Sequence, residues 1–127
     1  MSRHTFVNLP ARDPGRAVEF FTALGFAPGP PADGRTAQLV INGQANLMLH
    51  AEAFFAEFAG AATPDPATHR EVVVGLTADS RAEVHDLVER AVALGGQAVG
   101  EPQDWGFMYM RAFRDLDGHQ WSFMHLS

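Results

Sequence analysis

One order of local signals occurs twice along the chain, and it constrains the fold more than any other feature of the sequence. In each half, a stretch of alternating apolar residues, 4–11 or 71–78, runs directly into an amphipathic helical stretch. Asp13 in the first half and Asp79-Ser80 in the second can cap the helix, and glycine follows the last apolar residue of each helical stripe. The sequence therefore predicts two copies of one structural unit, produced by an internal duplication.

A hairpin signal follows each predicted helix. Asn42-Gly43 and Asp117-Gly118 both lie between apolar stretches, and these dipeptides are strong cues for tight hairpin turns. The strands expected after the two helices cover residues 26–27, 35–41, 45–50, 97–100, 106–113 and 119–125. Each half is thus predicted to be a β-α-β-β-β module, which makes the fold class α+β.

The length of 127 residues is that of one domain, and 46% hydrophobic residues are enough to form its core. We predict a single domain over residues 1–127, with a first module over about 4–58 and a second over about 70–127. Residues 51–58 are predicted to form a short helix at the end of the first module. The Pro- and Ala-rich stretch 60–69 is predicted to be the connector.

Composition removes several classes of function. The chain has no cysteine, and its nine basic residues are all arginine, so thiol chemistry, Cys-ligated metals and Schiff-base catalysis are excluded. A net charge of -6 without a basic cluster argues against nucleic acid or an anionic membrane as partner. The first ten residues lack the apolar core of a signal peptide, and no apolar run is long enough to span a bilayer. We therefore expect a cytoplasmic protein.

Two segments carry a family resemblance. The first is Asp13-Pro14-x-Arg16-Ala17-Val18-x-Phe20-Phe21 with its stop at Leu24-Gly25-Phe26, and the second is Phe113-Arg114-Asp115-Leu116-Asp117-Gly118-His119-x-Trp121. Both resemble the vicinal oxygen chelate superfamily, which includes glyoxalase I, bleomycin-resistance proteins and extradiol dioxygenases. Phe6-Val7-Asn8-Leu9-Pro10 and Gln103-Asp104-Trp105-Gly106-Phe107-Met108-Tyr109 are similar to its small bacterial single-domain members. The resemblance implies that the two modules form a curled mixed-sheet cup.

The metalloenzymes of this superfamily hold a divalent cation with His, Gln or Glu side chains from four strands. In this sequence the matching positions are Phe6, Leu47 or Met48, Val72 or Val73, and Ser122, depending on the register of two strands. Neither an apolar side chain nor a lone hydroxyl replaces such a ligand. We therefore predict no cofactor at the usual metal site.

A non-standard site for a divalent metal is the alternative. If Met48 points into the cup, His50 does so as well, since side chains alternate along a strand. His4 has the same parity as Phe6, and Glu71 joins the group if Val73 is the inward residue.

A cavity for a small-molecule ligand is expected inside the cup. Tyr109 and Arg111 share one face of a strand and offer a hydroxyl and a cation to an anionic or aromatic ligand. The structural interpretation of Arg111 is an ion pair with an acidic neighbour such as Asp115. The expected ligand-binding residues are Phe6, Asn8, Met48, His50, Tyr109, Arg111, Ser122 and Met124.

Three functions are compatible with these observations. The first is sequestration of a small molecule in a metal-free cavity, as in bleomycin-resistance proteins. The second is a metal-dependent glyoxalase, lyase, isomerase or dioxygenase with a non-standard ligand set. The third is a structural or regulatory domain whose cup is filled by its own side chains. The resemblance also implies a homodimer, and Phe54, Phe55 and Phe58 are expected either to cover the cup or to form a subunit contact.

Overall fold

The computed structural model describes residues 3–30 and 34–126. The chain divides after Pro64 into two compact units, and each unit contains one four-stranded mixed sheet. The elements are β1 (Thr5–Ala11), α1 (Pro14–Leu24), β2 (Ala27–Pro28), β3 (Thr36–Asn42), β4 (Ala45–Ala51), α2 (Glu52–Ala59), β5 (Val73–Thr77), α3 (Arg81–Ala93), β6 (Gln97–Asp104), β7 (Met108–Arg114) and β8 (Gln120–Leu126).

In the first unit the strand order is β1-β4-β3-β2, with β1 and β4 parallel and the other pairs antiparallel. The Asp13 carboxylate accepts the backbone N–H of Arg16 at 3.2 Å and so caps α1. Gly25 ends this helix with a φ of 120°, a conformation that a residue with a Cβ rarely adopts. One side of α1 packs on the sheet, and the buried side chains at this contact include Ala17, Phe20, Phe21, Leu24, Leu39, Leu47 and Leu49.

The second unit repeats this arrangement with the strand order β5-β8-β7-β6, in which β5 and β8 are parallel. Ser80 accepts the N–H of Glu83 at 3.0 Å, and the Glu83 carboxylate accepts the N–H of Asp79 at 2.8 Å. These two hydrogen bonds, one to the N-cap Ser80 and one from the residue before it, fix the start of α3. The helix covers one face of the sheet, and the buried side chains of this unit include Val84, Val88, Ala91, Phe113, Trp121 and Phe123.

The α+β class and the two tandem modules are confirmed, with three differences of two residues or more in strand bounds. β7 begins at Met108 rather than at residue 106. β5 begins at Val73 rather than at residue 71, and β6 continues beyond residue 100 to Asp104. β6 is longer because an irregularity after Val99 absorbs extra residues, after which Gln103 resumes pairing with β7. In the described part of the chain, no helix is both long enough and apolar enough to cross a membrane.

Candidate functional site

Each sheet has one face covered by its helix, α1 or α3, and an opposite face that we call the far face. Side chains directly opposite each other on neighbouring strands lie on the same face, so the observed pairing assigns the paired strand residues to one face or the other. The far face of the first sheet includes Phe6, Asn8, Thr36, Gln38, Asn46, Met48 and His50. The far face of the second sheet includes Val73, Gly75, Thr77, Met108, Met110, Ala112, Arg114, Gln120, Ser122 and Met124.

The observed strand pairing shows which residue lies on the far face in the two cases that the sequence leaves open, Leu47 or Met48 and Val72 or Val73. Met48 pairs with Asn8 and Gln38 on the far face, whereas Leu47 is buried on the α1 side at 1% exposure. Val73 pairs with Gln120 on the far face of the second sheet, and Val72 lies before β5. Neither Met48 nor Val73 offers a metal ligand of the usual kind.

His50 is the most buried polar side chain of the first far face, at 5% exposure. Its Nε2 lies 2.9 Å from Oδ1 of Asn8, and its Nδ1 lies 3.0 Å from the hydroxyl of Thr36. Because Oδ1 of Asn8 can only accept, we assign the proton to Nε2, and the Thr36 hydroxyl then donates to Nδ1. Burial lowers the pKa of His50 below its ordinary value, in accord with a neutral ring that uses both nitrogens.

An aromatic cover of three phenylalanines surrounds this imidazole. The ring of His50 lies 5.4 Å from that of Phe54, 6.3 Å from that of Phe55 and 5.2 Å from that of Phe58, centroid to centroid. All three belong to α2, which contacts β1 and β4. The Arg35 guanidinium lies 4.7 Å from the centre of the Phe54 ring. Phe54 and Phe55 therefore pack over their own sheet, while Phe58 remains 60% exposed.

The middle of the second far face is apolar and lacks charged side chains. Met110 pairs with Met124, and Ala112 pairs with Ser122, which is 5% exposed. A Cβ on Gly75 would lie 3.0 Å from the Met124 methyl and 3.3 Å from the Ser122 hydroxyl, so a larger residue would crowd both. Flexible thioethers beside a small hydroxyl form a surface that adapts to ligands of different shape.

Tyr109 and Arg111 lie on the α3 face of the second sheet, not on the far face with Ser122 and Met124. Arg111 Nη1 lies 2.8 Å from the Glu89 carboxylate on α3. The Arg111 side chain is 11% exposed. The pKa of Glu89 is lowered, and the main cause is this hydrogen bond from Arg111. Arg111 thus pairs with a carboxylate, as the structural interpretation expects, but the partner is Glu89 rather than Asp115.

The Tyr109 ring also contacts a charged side chain on the α3 face, that of Arg81. The Arg81 guanidinium lies 5.1 Å from the ring centre and donates two hydrogen bonds, of 2.7 and 3.0 Å, to the Asp104 carboxylate. These hydrogen bonds are the largest influence that lowers the pKa of Asp104. Tyr109 therefore lies beneath an ion pair that joins α3 to β6.

The donor atoms of the two far faces do not fit a divalent cation. The strand residues assigned above to these faces include one imidazole, that of His50, and no carboxylate. Both nitrogens of this imidazole already have hydrogen-bond partners. His4 and Glu71 are exposed and precede β1 and β5. Among residues 3–30 and 34–126 there is no group of three His, Asp or Glu side chains that could hold a metal ion.

Six polar residues assigned to the far faces are missing from the sequence predictions: Thr36, Gln38, Asn46, Thr77, Arg114 and Gln120. Thr36 is a partner of His50, and Gln38 donates to Oδ1 of Asn46 at 3.1 Å. Arg114 lies at the end of β7 opposite Gln120. Strand alternation from Met48 and Ser122 across each hairpin would have placed all of them except Thr77, once the register was known.

Comparison with known proteins gives consistent results. The sequence model described as Glyoxalase/Bleomycin resistance protein/Dioxygenase superfamily matches residues 3–123. A hypothetical protein from S. aureus has a TM-score of 0.85 at 27% identity, over 98% of this chain and 95% of that one. A family enzyme from Burkholderia phytofirmans PsJN has a TM-score of 0.84 at 16% identity, over 99% and 100%. None of the curated proteins matches the chain.

A further solved structure carries the name of an enzyme. Lactoylglutathione lyase from Agrobacterium tumefaciens has a TM-score of 0.70 at 21% identity, and the match covers 98% of this chain and 94% of that one. At this identity the likeness shows the fold alone. Together the matches confirm the resemblance carried by the two sequence segments, and they confirm the fold.

Proposed function

Because this chain belongs to the glyoxalase/bleomycin resistance protein/dioxygenase superfamily, we propose that it binds a small molecule without the help of a metal ion. The observation that carries the proposal is the chemistry of the strand residues assigned above to the far faces, which offer methionine, amide and hydroxyl groups and one guanidinium, but only one imidazole and no carboxylate. Such a surface suits an organic ligand bound by apolar contact and a few hydrogen bonds.

We place the ligand on the far face of the second sheet. Met110, Ala112 and Met124 supply apolar contacts there, and Ser122 supplies a hydroxyl. On the first sheet, both ring nitrogens of His50 are hydrogen-bonded, to Asn8 and to Thr36, so we assign this histidine a structural role.

We expect the neutral fluorescent probe N-phenylnaphthylamine to bind saturably and equally well with and without a chelator. Met110→Gln places an amide on the far face and is expected to weaken this binding about tenfold, or about 1.4 kcal/mol. Arg111→Met is the matched control, since it alters the α3 face of the same strand. Fluorescence titration measures all three proteins. Absence of saturable binding, or binding that requires added metal, would reject the proposal.

A metal-dependent enzyme with His4, His50 and Glu71 as ligands is the second candidate. It would require His50 to give up a hydrogen bond to Asn8 or Thr36. In that case zinc, nickel, manganese or iron would raise the thermal stability of the wild-type protein but not that of His50→Gln. The third candidate, a domain filled by its own side chains, predicts no ligand binding at all.

We also propose that the protein is a homodimer in the cytoplasm. Trp105 and Phe107, at the turn between β6 and β7, are 49% and 67% exposed, which is unusual for large aromatic side chains. The absence of cysteine accords with a reducing compartment. Sedimentation velocity is expected to give twice the chain mass for the wild type and the monomer mass for Phe107→Asp. A monomeric wild type would contradict the dimer.

A further inference from the structure

Arg114 is a half-buried cation at the end of β7, on the far face of the second sheet. Its Nε is fully buried and has no hydrogen-bond partner among residues 3–30 and 34–126. Its Nη1 makes one long hydrogen bond, of 3.4 Å, to the backbone carbonyl of Ala67. A guanidinium in this state is unusual, because an N–H donor that is buried without a hydrogen bond is unfavourable.

Arg70 brings a second cation to the same end of the sheet. Its Nε donates to the side-chain oxygen of Gln120 at 2.9 Å. Gln120 is the register partner of Arg114, so the two side chains stand side by side on the far face. Within the described residues, neither Arg70 nor Arg114 has a carboxylate partner.

The other two strand-contacting arginines of this unit differ in this respect. Arg81 pairs with Asp104 and Arg111 pairs with Glu89, each through a hydrogen bond of 2.7 or 2.8 Å. The chain is acidic overall, with 15 Asp and Glu residues against nine arginines, so carboxylates are in excess. An arginine left unpaired in such a chain points to an acceptor that comes from outside the protein.

We propose that Arg114, assisted by Arg70, binds the anionic group of a small organic ligand. This inference rests on the proposed function and specifies the class of ligand, an apolar body with a carboxylate or phosphate group. The planar guanidinium suits both groups, since its N–H donors match two oxygens of one anion. The apolar body would lie on Met110, Ala112 and Met124, which follow Arg114 along the same far face.

Two fluorescent probes with similar aromatic bodies test the charge requirement. Anilinonaphthalene sulfonate carries an anion, and N-phenylnaphthylamine is neutral. We expect Arg114→Met to weaken binding of the sulfonate about tenfold and Arg70→Gln to weaken it several-fold, with little change for the neutral probe. Arg16→Gln is the control for net charge, because Arg16 is exposed on α1. It is expected to bind both probes as the wild type does.

The outcomes separate this inference from the proposed function. If neither probe binds the wild type, both fail. If both bind and Arg114→Met affects them equally, or not at all, the anion site is wrong and the binding function stands. If Arg114→Met weakens binding of the sulfonate alone, the inference is supported, and displacement of the sulfonate by octanoate or by octyl phosphate identifies which anionic group the site prefers.

Thermal unfolding gives an independent test that needs no probe. In buffer without phosphate, Arg114→Met is expected to unfold at no lower a temperature than the wild type, because it removes a buried N–H donor that lacks a hydrogen bond. Inorganic phosphate is expected to stabilise the wild type but not the variant. If Arg114→Met unfolds at a much lower temperature than the wild type, and phosphate does not raise the unfolding temperature of the wild type, then Arg114 is structural, with water as its partner.

Discussion

Replacing Asp115 with alanine is expected to lower the free energy of unfolding by about 3–5 kcal/mol. The Asp115 carboxylate is buried at 6% exposure and organises the turn between β7 and β8. One oxygen accepts the backbone N–H groups of Asp117 and His119 at 2.9 and 3.0 Å, and the other accepts the indole N–H of Trp121 at 3.0 Å. Alanine removes both oxygens, and with them the three hydrogen bonds that these N–H groups donate.

Chemical denaturation of three variants measures this effect. Asp115→Asn keeps an oxygen for the turn but presents an amide N–H to the indole of Trp121, so an intermediate loss is expected. Asp86→Ala is the control, because Asp86 is exposed on α3, and we expect a change within about 0.5 kcal/mol. Equal stability of Asp115→Ala and Asp86→Ala would show that the hydrogen bonds of this turn do not contribute.

Replacing His50 with leucine is expected to cost about 2–3 kcal/mol, although leucine is more apolar. The substitution deprives Asn8 and Thr36 of their hydrogen bonds to the ring, at 2.9 and 3.0 Å. It also removes the aromatic contacts to α2. His4→Leu is the control for the same chemical change at an exposed position, and a small effect is expected there.

The pH dependence of stability distinguishes a neutral His50 from a charged one. Because burial lowers the pKa of His50 below 6.5, the unfolded chain binds a proton at this residue before the folded chain does. Its contribution to stability is therefore complete above about pH 6.5 and is lost as the pH falls below that value. The difference in unfolding free energy between wild type and His50→Leu should shrink from pH 8 to pH 5. A difference that grows over this range would contradict the assignment.

The order of elements could be predicted from the sequence because its signals are local. Asp13 and Ser80 cap the helices that follow them, and Gly25 ends α1 with a positive φ. These features require no knowledge of distant contacts. The extension of β6 to Asp104 could not be predicted, because it depends on an irregularity that lets Gln103 pair with Met110.

The faces of β7 were harder to predict because they depend on the loop after it. A two-residue turn at Asp117-Gly118 would pair Leu116 with His119 and place Arg111 opposite Met124. In the structure, Asp115 pairs with His119 across a three-residue loop, in which Gly118 has a φ of 92°. This shift of one residue places Arg111 opposite Phe123, on the α3 face.

The same shift of one residue explains why the sequence did not predict that Arg114 lies on the far face. In the observed register it pairs with Gln120 and shares the far face with Ala112. Among the described residues it has no carboxylate partner, and this is a property of tertiary structure, since Asp115 and Asp117 are both close to it in sequence. Sequence spacing alone would have favoured a local ion pair for Arg114 just as it did for Arg111.

Metal content tests the central claim, metal-independent binding, most directly. Untagged protein would be purified without chelators, dialysed against zinc, nickel, manganese and iron, passed through a desalting column and submitted to elemental analysis. A histidine tag must be absent, because added histidines bind these metals themselves. From the chemistry of the far faces, we expect the protein to retain none of these metals at about one equivalent per chain. Retention of one metal at that level would contradict the account and identify His4, His50 and Glu71 as the residues to replace.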